Sequence, residues 1–381
     1  MMRREFLTAA TAIVGAAGAP LLVRAHDASA EISTGAGGVV DPNITIQTTT
    51  GPMKIGDMGR TLIHEHIFVA VPGWEFDHRQ PRFDRNSAIH RCVDILQELQ
   101  HYGCRTVVDP LPMDMGRDVE FVAEVSQKSG TRIICATGFY HEKFGAPWTV
   151  RWLPKEQLVD LYVEDLTQGV SASMRASTDT RGVGNTGIRC GVIKIATDGG
   201  PTDYERKMIS VAAEASRITG VPIISHTNGS HGLDQIDLVE RGKVPANCLV
   251  VGHCDSDDLD YHKSISERHA FIGLDRYGFK GGSIPDSVRT KNLLELVKAG
   301  YRDRILVSHD CNLTMRGNWP PPTDIATMGD MSLFMRDIAP KLLEMGLSKE
   351  DLEHILVDNP KALFANAAKQ RVGKQHKQAA G

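Results

Sequence analysis

From Arg60 onward the chain repeats one unit. A short, nearly continuous apolar run is followed by a polar tip, then by a longer stretch with apolar residues three and four apart. The runs are Thr61–Phe68, Arg105–Asp109, Thr131–Gly138, Gly191–Thr197, Val221–Thr227, Cys248–Asp255, Ala270–Tyr277 and Arg304–Asp310. They are rich in Val and Ile, the composition of parallel strands covered on both faces. Between them, Ile89, Val93, Leu96 and Leu99 share one helical stripe, as do Met208, Val211, Ala212 and Ala215. Further stripes begin at Leu293 and Leu333. Alternating strand and helix predict a parallel sheet, and eight repeats predict a closed (β/α)8 TIM barrel. A doubly wound open sheet is the alternative, but no Gly-x-Gly-x-x-Gly turn follows the first strand to support it.

The ends of the chain read differently. Residues 1–30 carry paired arginines (Arg3-Arg4-Glu5-Phe6-Leu7), an Ala-rich apolar run from Ala9 to Val23, and Ala28-Ser29-Ala30. This is the pattern of a twin-arginine signal peptide with a small-residue cleavage site, and it predicts a periplasmic or secreted protein. The apolar run is too short, and too broken by Gly and Pro, to act as a stable membrane anchor. Residues 31–58 read as a lead-in, with Ile44–Thr48 as an edge strand. Residues 59–368 read as the barrel with C-terminal helices. Ser348 is placed to cap one of these, with Glu350 and Asp351 in its first turn. Residues 369–381 form a polar tail.

Composition adds exclusions. The 381 residues are 41% hydrophobic and 24% charged, with net charge −4, an ordinary globular balance. No basic cluster with interleaved aromatics occurs, so no nucleic-acid partner is expected. The seven cysteines are odd in number, contain no Cys-x-x-Cys, and sit mostly at the ends of apolar runs. Buried free thiols are expected rather than a disulfide framework.

In a (β/α)8 barrel the C-terminal ends of the strands carry the site. The first run ends in His64 and His66, two residues apart and hence on one face of a strand. The fourth carries Lys194, the fifth His226, the sixth His253 and the eighth Asp310. Each His has a plain reading as a hydrogen-bonded structural group, and the Asp as a helix cap. A Lys inside an apolar strand has almost none, because burying an unpaired ammonium is costly. It needs a depressed pKa or modification, and reaction with carbon dioxide would make it an anionic ligand able to bridge two cations. Together the six positions point to a metal centre.

These residues, with Gly59-Arg60-Thr61-Leu62-Ile63-His64-Glu65-His66, Met115-Gly116-Arg117-Asp118, Ala136-Thr137-Gly138 and Phe271-Ile272-Gly273-Leu274-Asp275, resemble the phosphotriesterase family of the amidohydrolase superfamily. The likeness runs from about Gly59 to Phe364. It implies two divalent metal ions, usually zinc, a carboxylated lysine and a bridging hydroxide. By that resemblance His64, His66 and Asp310 hold the more buried ion, His226 and His253 the more exposed one, and Lys194, as N6-carboxylysine, bridges both. It further implies attack of the hydroxide on a C=O or P=O, with Asp310 taking the proton. Neighbouring His309 should face away from the site. Cobalt, manganese and iron are also compatible with such ligands.

Within the family, Asp275-Arg276-Tyr277-Gly278, Gly138-Phe139-Tyr140, Ser225-His226-Thr227-Asn228 and Gly232-Leu233-Asp234-Gln235 resemble the phosphotriesterase-like lactonases. Efficient organophosphate hydrolases of the family carry a histidine where Arg276 stands. The resemblance therefore implies lactone opening, with weaker phosphotriester or aryl-ester hydrolysis, and gives Tyr140 and Arg276 catalytic roles. Arg276 could instead be a salt bridge to Asp255 or Asp257, and Tyr140 a pocket-wall aromatic. A phosphotriesterase proper is the alternative function, and a non-catalytic periplasmic barrel the distant one. Family members are often homodimers, although no interface patch is legible in the pattern.

Overall fold

The computed structural model describes residues 40–76, 82–171, 185–279, 284–317 and 330–372. The signal-peptide segment, the last residues of the polar tail and parts of the loops after the seventh and eighth runs lie outside the described residues. Eight strands form one parallel sheet in the order β11-β10-β9-β8-β7-β6-β5-β3. They are β3 (Arg60–Leu62), β5 (Cys104–Asp109), β6 (Arg132–Gly138), β7 (Val192–Ala196), β8 (Ile223–His226), β9 (Leu249–Val251), β10 (Phe271–Leu274) and β11 (Ile305–Val307). Helices α1 (Arg85–His101), α2 (Val119–Ser129), α4 (Lys155–Thr167), α5 (Asp203–Thr219), α6 (Gly232–Arg241), α7 (Leu259–Glu267) and α8 (Asp286–Lys298) alternate with them, and the short α3 (Trp148–Trp152) precedes α4. This is the predicted (β/α)8 barrel, closed all the way round except at one seam.

The first run does not form the single strand expected from Thr61 to Phe68. It breaks after β3 and resumes as β4 (His66–Ala70), which pairs in parallel with β12 (Asn312–Arg316) above the barrel. Two long-range hydrogen bonds divert it: His64 N–H donates to Ser308 Oγ at 3.0 Å, while Glu65 N–H donates to the Val108 carbonyl at 3.0 Å. Consequently β3 and β11 share no ladder. Their seam is crossed by Asp310 N–H to the His64 carbonyl at 3.0 Å and His66 N–H to the Cys311 carbonyl at 2.8 Å. The sixth, seventh and eighth runs also yield shorter strands than the apolar pattern suggested, because their polar tips bend into the loops that carry the site.

The barrel interior is apolar at its base and polar at its mouth. Val108, Ile134, Ala136, Val192, Ile224, Val250, Phe271 and Leu306 form one buried cluster. Burying side chains of this size contributes roughly 1.5–3 kcal/mol each. The lead-in folds as a hairpin, β1 (Thr45–Thr48) with β2 (Gly51–Lys54), whose Ile46 and Met53 join that cluster as a floor. Leu363 and Phe364 join it from α11 (Asn359–Lys369). Two residues further along the same strand faces, Val192 gives way to Lys194 and Ile224 to His226. The period-two alternation that fills the core thus aims these polar groups at the mouth.

Ser348 caps α10 (Lys349–Glu353) as expected, its Oγ accepting from Asp351 N–H at 2.9 Å. A π-helical turn at His354–Asp358 precedes α11. Pro360 at the start of α11 lacks an N–H, which relaxes the α-helical register just before it. Helix α9 (Ala339–Glu344) starts the same way, with Pro340 after a π turn at Phe334–Ile338. All seven cysteines are buried and none forms a disulfide. No helix among the described residues is long and apolar enough to cross a membrane.

Candidate active site

The six residues expected as metal ligands meet at the barrel mouth. His66 Nε2 lies 3.2 Å from Asp310 Oδ1, His64 Nε2 3.8 Å from the same atom, and His253 Nε2 3.6 Å from Asp310 Oδ2. Lys194 Nζ is 2.9 Å from His64 Nε2. The His226 ring packs edge-on against His253 with centroids 4.6 Å apart. His253 and Asp310 both adopt left-handed backbone, φ 55° and 54°. Such geometry costs of the order of 1–3 kcal/mol for a non-glycine residue and concentrates at functional sites. Here it turns each side chain inward just past its strand end.

The rings are fixed from behind. Asp275, at the end of β10, accepts from His64 Nδ1 at 2.8 Å and from His253 Nδ1 at 3.0 Å, and also from His253 N–H at 2.8 Å. Asp109, at the end of β5, is 3.1 Å from His66 Nδ1 and accepts from the backbone of Ile67 and Leu111. Locking Nδ1 leaves each Nε2 to face the centre, the arrangement in which imidazole ligands are held for a cation. His64, His253 and Asp275 also lie close enough together to suggest a cation site of their own. At 2.8 and 3.0 Å those contacts are hydrogen bonds, leaving no room for an ion about 2 Å from each ligand.

Burial and charge split the side chains. Burial, aided by Lys194, pushes His64 down to about 3. Burial opposes charge on His66 too, but Asp109 and Asp310 outweigh it and raise this imidazole to about 9. Burial lowers the Lys194 amine to about 8 against the pull of Asp310 and Asp275. Asp310 is buried as well, yet His253, His66 and Arg276 hold its carboxyl well below the usual range. Among the described residues Lys194 pairs with no carboxylate. Three inward Nε2 atoms around one ionised carboxylate, beside a buried amine without an acidic partner, form a donor set that fits divalent cations.

Arg276 and Tyr140 complete the mouth. Arg276 Nε donates to Asp310 Oδ2 at 3.0 Å, and its Nη1 lies 3.6 Å from Asp255 Oδ2. The alternative pairing with Asp255 is present, but Asp310 is the nearer partner. Tyr140 Oη lies 3.1 Å from His226 Nδ1, and burial raises its phenol far above the ordinary range. His309 turns away as anticipated: its Nδ1 bonds Glu65 at 2.6 Å and its Nε2 accepts from Phe334 N–H at 3.0 Å. Glu65, between the two ligand histidines, also accepts from Ser308 Oγ, His309 N–H and Cys311 N–H at 2.7–3.0 Å.

A cavity of about 240 Å³ opens over this centre. One side is apolar, made by Val69, Leu111, Met115 and Phe144; the other carries the imidazoles, Arg276 and Asn228. The loop after β6 that supplies Tyr140 is pinned twice. Tyr140 N–H donates to Asp114 Oδ1 at 2.9 Å, and Glu142 N–H donates to Glu205 Oε1 at 3.1 Å. Glu205 is held by its capping box with Thr202 at the start of α5. Sequence reasoning missed Asp109 and Asp275, strand-end acids whose signal was present on runs two and seven.

A family model of the phosphotriesterase family matches residues 44–364. The chain belongs to the phosphotriesterase family. It is 30% identical to the aryldialkylphosphatase of Saccharolobus solfataricus over 318 residues, covering 81% of this chain and 96% of that relative. The N-acetyltaurine hydrolase of Salmo salar is 26% identical, covering 83% and 96%. Among solved structures, an organophosphorus hydrolase from Deinococcus radiodurans aligns with TM-score 0.78 and 33% identity over 86% of this chain and all of that one. A multiply substituted PTE-like lactonase from the same organism aligns with TM-score 0.76 and 32% identity, covering 84% of this chain and 100% of that one. The chain is thus a hydrolase of the phosphotriesterase family, a family that acts on small-molecule substrates.

Proposed function

We propose that the protein opens lactones, with slower hydrolysis of phosphotriesters. The observation that carries this is the Arg276–Asp310 contact. A guanidinium keeps its proton at any accessible pH. Arg276 therefore holds the Asp310 carboxylate in place and cannot pass a proton outward as an imidazole could. Similarity to the Deinococcus radiodurans PTE-like lactonase supports the same reading.

In this proposal His64, His66, His226, His253 and Asp310 would hold the divalent ions, usually zinc in this family, and Lys194 as a carbamate would add an anionic oxygen ligand. When bound, the ions supply Lewis acidity and a water acidified toward neutral pH. With the amine lowered to about 8, a useful fraction of Lys194 is unprotonated near neutral pH and free to add to carbon dioxide. The N–C bond forms and the amine gives up a proton. The residues then divide the work. Asp310 accepts the proton of the attacking water at its carboxylate, which Arg276 keeps ionised. Tyr140 keeps its phenolic proton and donates it as a hydrogen bond to the substrate on the His226 side. Asp275 and Asp109 stop the rings from turning. Val69, Leu111, Met115 and Phe144 exclude water from an apolar arm of the substrate.

The test sets a lactone panel beside paraoxon, with metal content measured on the same sample. Faster lactone opening with two ions bound is expected. Two ions bound, intact lactones and rapid paraoxon cleavage would instead make it a phosphotriesterase. Metal-free protein inert toward both would make it a non-catalytic barrel. Export through the twin-arginine route, read from residues 1–30, is proposed alongside. Fractionating cells that express the full chain and sequencing the mature N-terminus checks it.

A further inference from the structure

Two of the buried thiols touch. Cys135 Sγ, on β6, and Cys190 Sγ, just before β7, lie 3.7 Å apart. Strand pairing brings them together: β6 runs beside β7 from Ala136 and Val192 onward, and Gly191 N–H donates to the Cys135 carbonyl at 2.9 Å. A charge faces the pair. Arg117, just ahead of α2, sends Nη1 to Cys190 Sγ at 3.4 Å, to the Ala136 carbonyl at 2.8 Å and to Asp165 Oδ2 at 2.9 Å. Its Nε and Nη2 are buried and make no hydrogen bond among the described residues. Idle buried donors of this kind are costly. They suit an anionic oxygen formed beside them better than a neutral thiol. Burial and Cys135 push the Cys190 thiol well above its usual range, against the pull of Arg117. The resting pair is therefore a reduced dithiol, shielded by its burial from bulky oxidants.

We infer that Cys135 and Cys190 are a redox pair, which a peroxide converts to a disulfide inside the folded barrel. The Cys190 thiolate takes one oxygen from hydrogen peroxide, giving a sulfenic acid and hydroxide. The idle N–H groups of Arg117 hold that oxygen. Cys135 then attacks the Cys190 sulfur; the S–S bond forms, and the oxygen leaves as water with the Cys135 proton. Two thiols are oxidised and one peroxide is reduced to two waters, the hydroxide recovering the proton that Cys190 gave up. The sulfurs close from 3.7 Å to about 2.05 Å, an approach small enough for side-chain rotation on neighbouring strands. The bond fastens the start of β7, which carries Lys194, to β6, which leads to Tyr140. It joins residues 55 apart in sequence, so it constrains the unfolded chain and stabilises the fold.

The experiment treats the reduced, folded, full-length protein with graded hydrogen peroxide, blocks remaining thiols with N-ethylmaleimide in denaturant, and maps the peptides. Met345, 55% exposed, gauges the dose through its sulfoxide. At doses that oxidise Met345, two of the seven thiols should be lost and a linked Cys135–Cys190 peptide should appear. Dithiothreitol should restore both thiols. The oxidised protein should melt roughly 5 °C or more above the reduced one. In Cys135→Ala the linked peptide should be absent and Cys190 should be captured as a sulfenic acid by dimedone. In Cys190→Ala, Cys135 should stay a thiol. Circular dichroism checks that each variant folds, and the wild-type map decides alone where one does not. Seven intact thiols beside fully oxidised Met345 overturn the inference. So do a linkage to any other cysteine, sulfinic acid at Cys190 in place of the disulfide, or a linked peptide that forms only when denaturant precedes peroxide.

Discussion

Arg276 Nε and Asp310 Oδ2 meet at 3.0 Å, and the same guanidinium reaches toward Asp255. Hydrogen bonds to charged groups contribute about 1.5–3 kcal/mol. Arg276→Ala is therefore expected to lower kcat/KM for lactones by roughly 10- to 100-fold. Arg276→Lys should recover little, because an ammonium cannot reproduce the planar fork that spans both acids. Steady-state kinetics on both variants decide this, and near-wild-type turnover in Arg276→Ala would remove the residue from the mechanism.

Glu65 carries a second prediction. Its carboxylate accepts bonds from Ser308, His309 and Cys311, the residues flanking Asp310. Glu65→Gln turns one acceptor oxygen into a donor facing donors. A loss of about 1–3 kcal/mol in stability is expected, together with weaker metal retention, since the strained Asp310 backbone loses its brace. Denaturant melts and metal titration on the same variant measure both.

Asp275 anchors one imidazole from each proposed ion. Asp275→Asn keeps a single acceptor and can satisfy only one of His64 Nδ1 and His253 Nδ1. Changes behind metal ligands of this sort lower affinity by about 10- to 100-fold. Competition with a chelator should show that loss with the fold intact by circular dichroism.

Asp114 gives a pH-dependent prediction away from the ligands. Burial raises its carboxyl to about 6, although it accepts from Tyr140 N–H. A carboxyl raised on folding binds its proton more readily in the native state. Its destabilising effect is therefore absent below about pH 4 and complete above about pH 6. Asp114→Asn keeps the acceptor for Tyr140 and should be more stable than wild type at pH 7.5, by up to about 3 kcal/mol. At pH 4 the two should melt together.

The convergence of the six candidate ligands was legible because each sits at the polar end of an apolar run, and barrel topology gathers those ends. Lys194 spoke most clearly, since an ammonium two residues beyond buried Val192 has no ordinary use. The groups behind the ligands were not legible. Asp109 and Asp275 end strands that contribute no ligand, and only the sheet order, with β5 beside β3 and β10 between β9 and β11, brings them to the rings. The break in the first run was hidden for a related reason. Thr61 to Phe68 has the composition of one strand, and the bonds that divert it come from Ser308 and Val108, both distant in sequence.

The seam between β3 and β11 has a consequence for how the molecule is fastened. His64 and His66 stand on one edge and Asp310 on the other, with two backbone hydrogen bonds across. Ions held by all three side chains would act as a clasp on a hoop, joining ends that the sheet itself leaves loose. Removing them would then do more than silence chemistry. The hoop should spring at one known point, with the amides of His66 and Asp310 exchanging ahead of the opposite wall at β7 and β8, so that catalytic competence and circumferential integrity are lost and regained together.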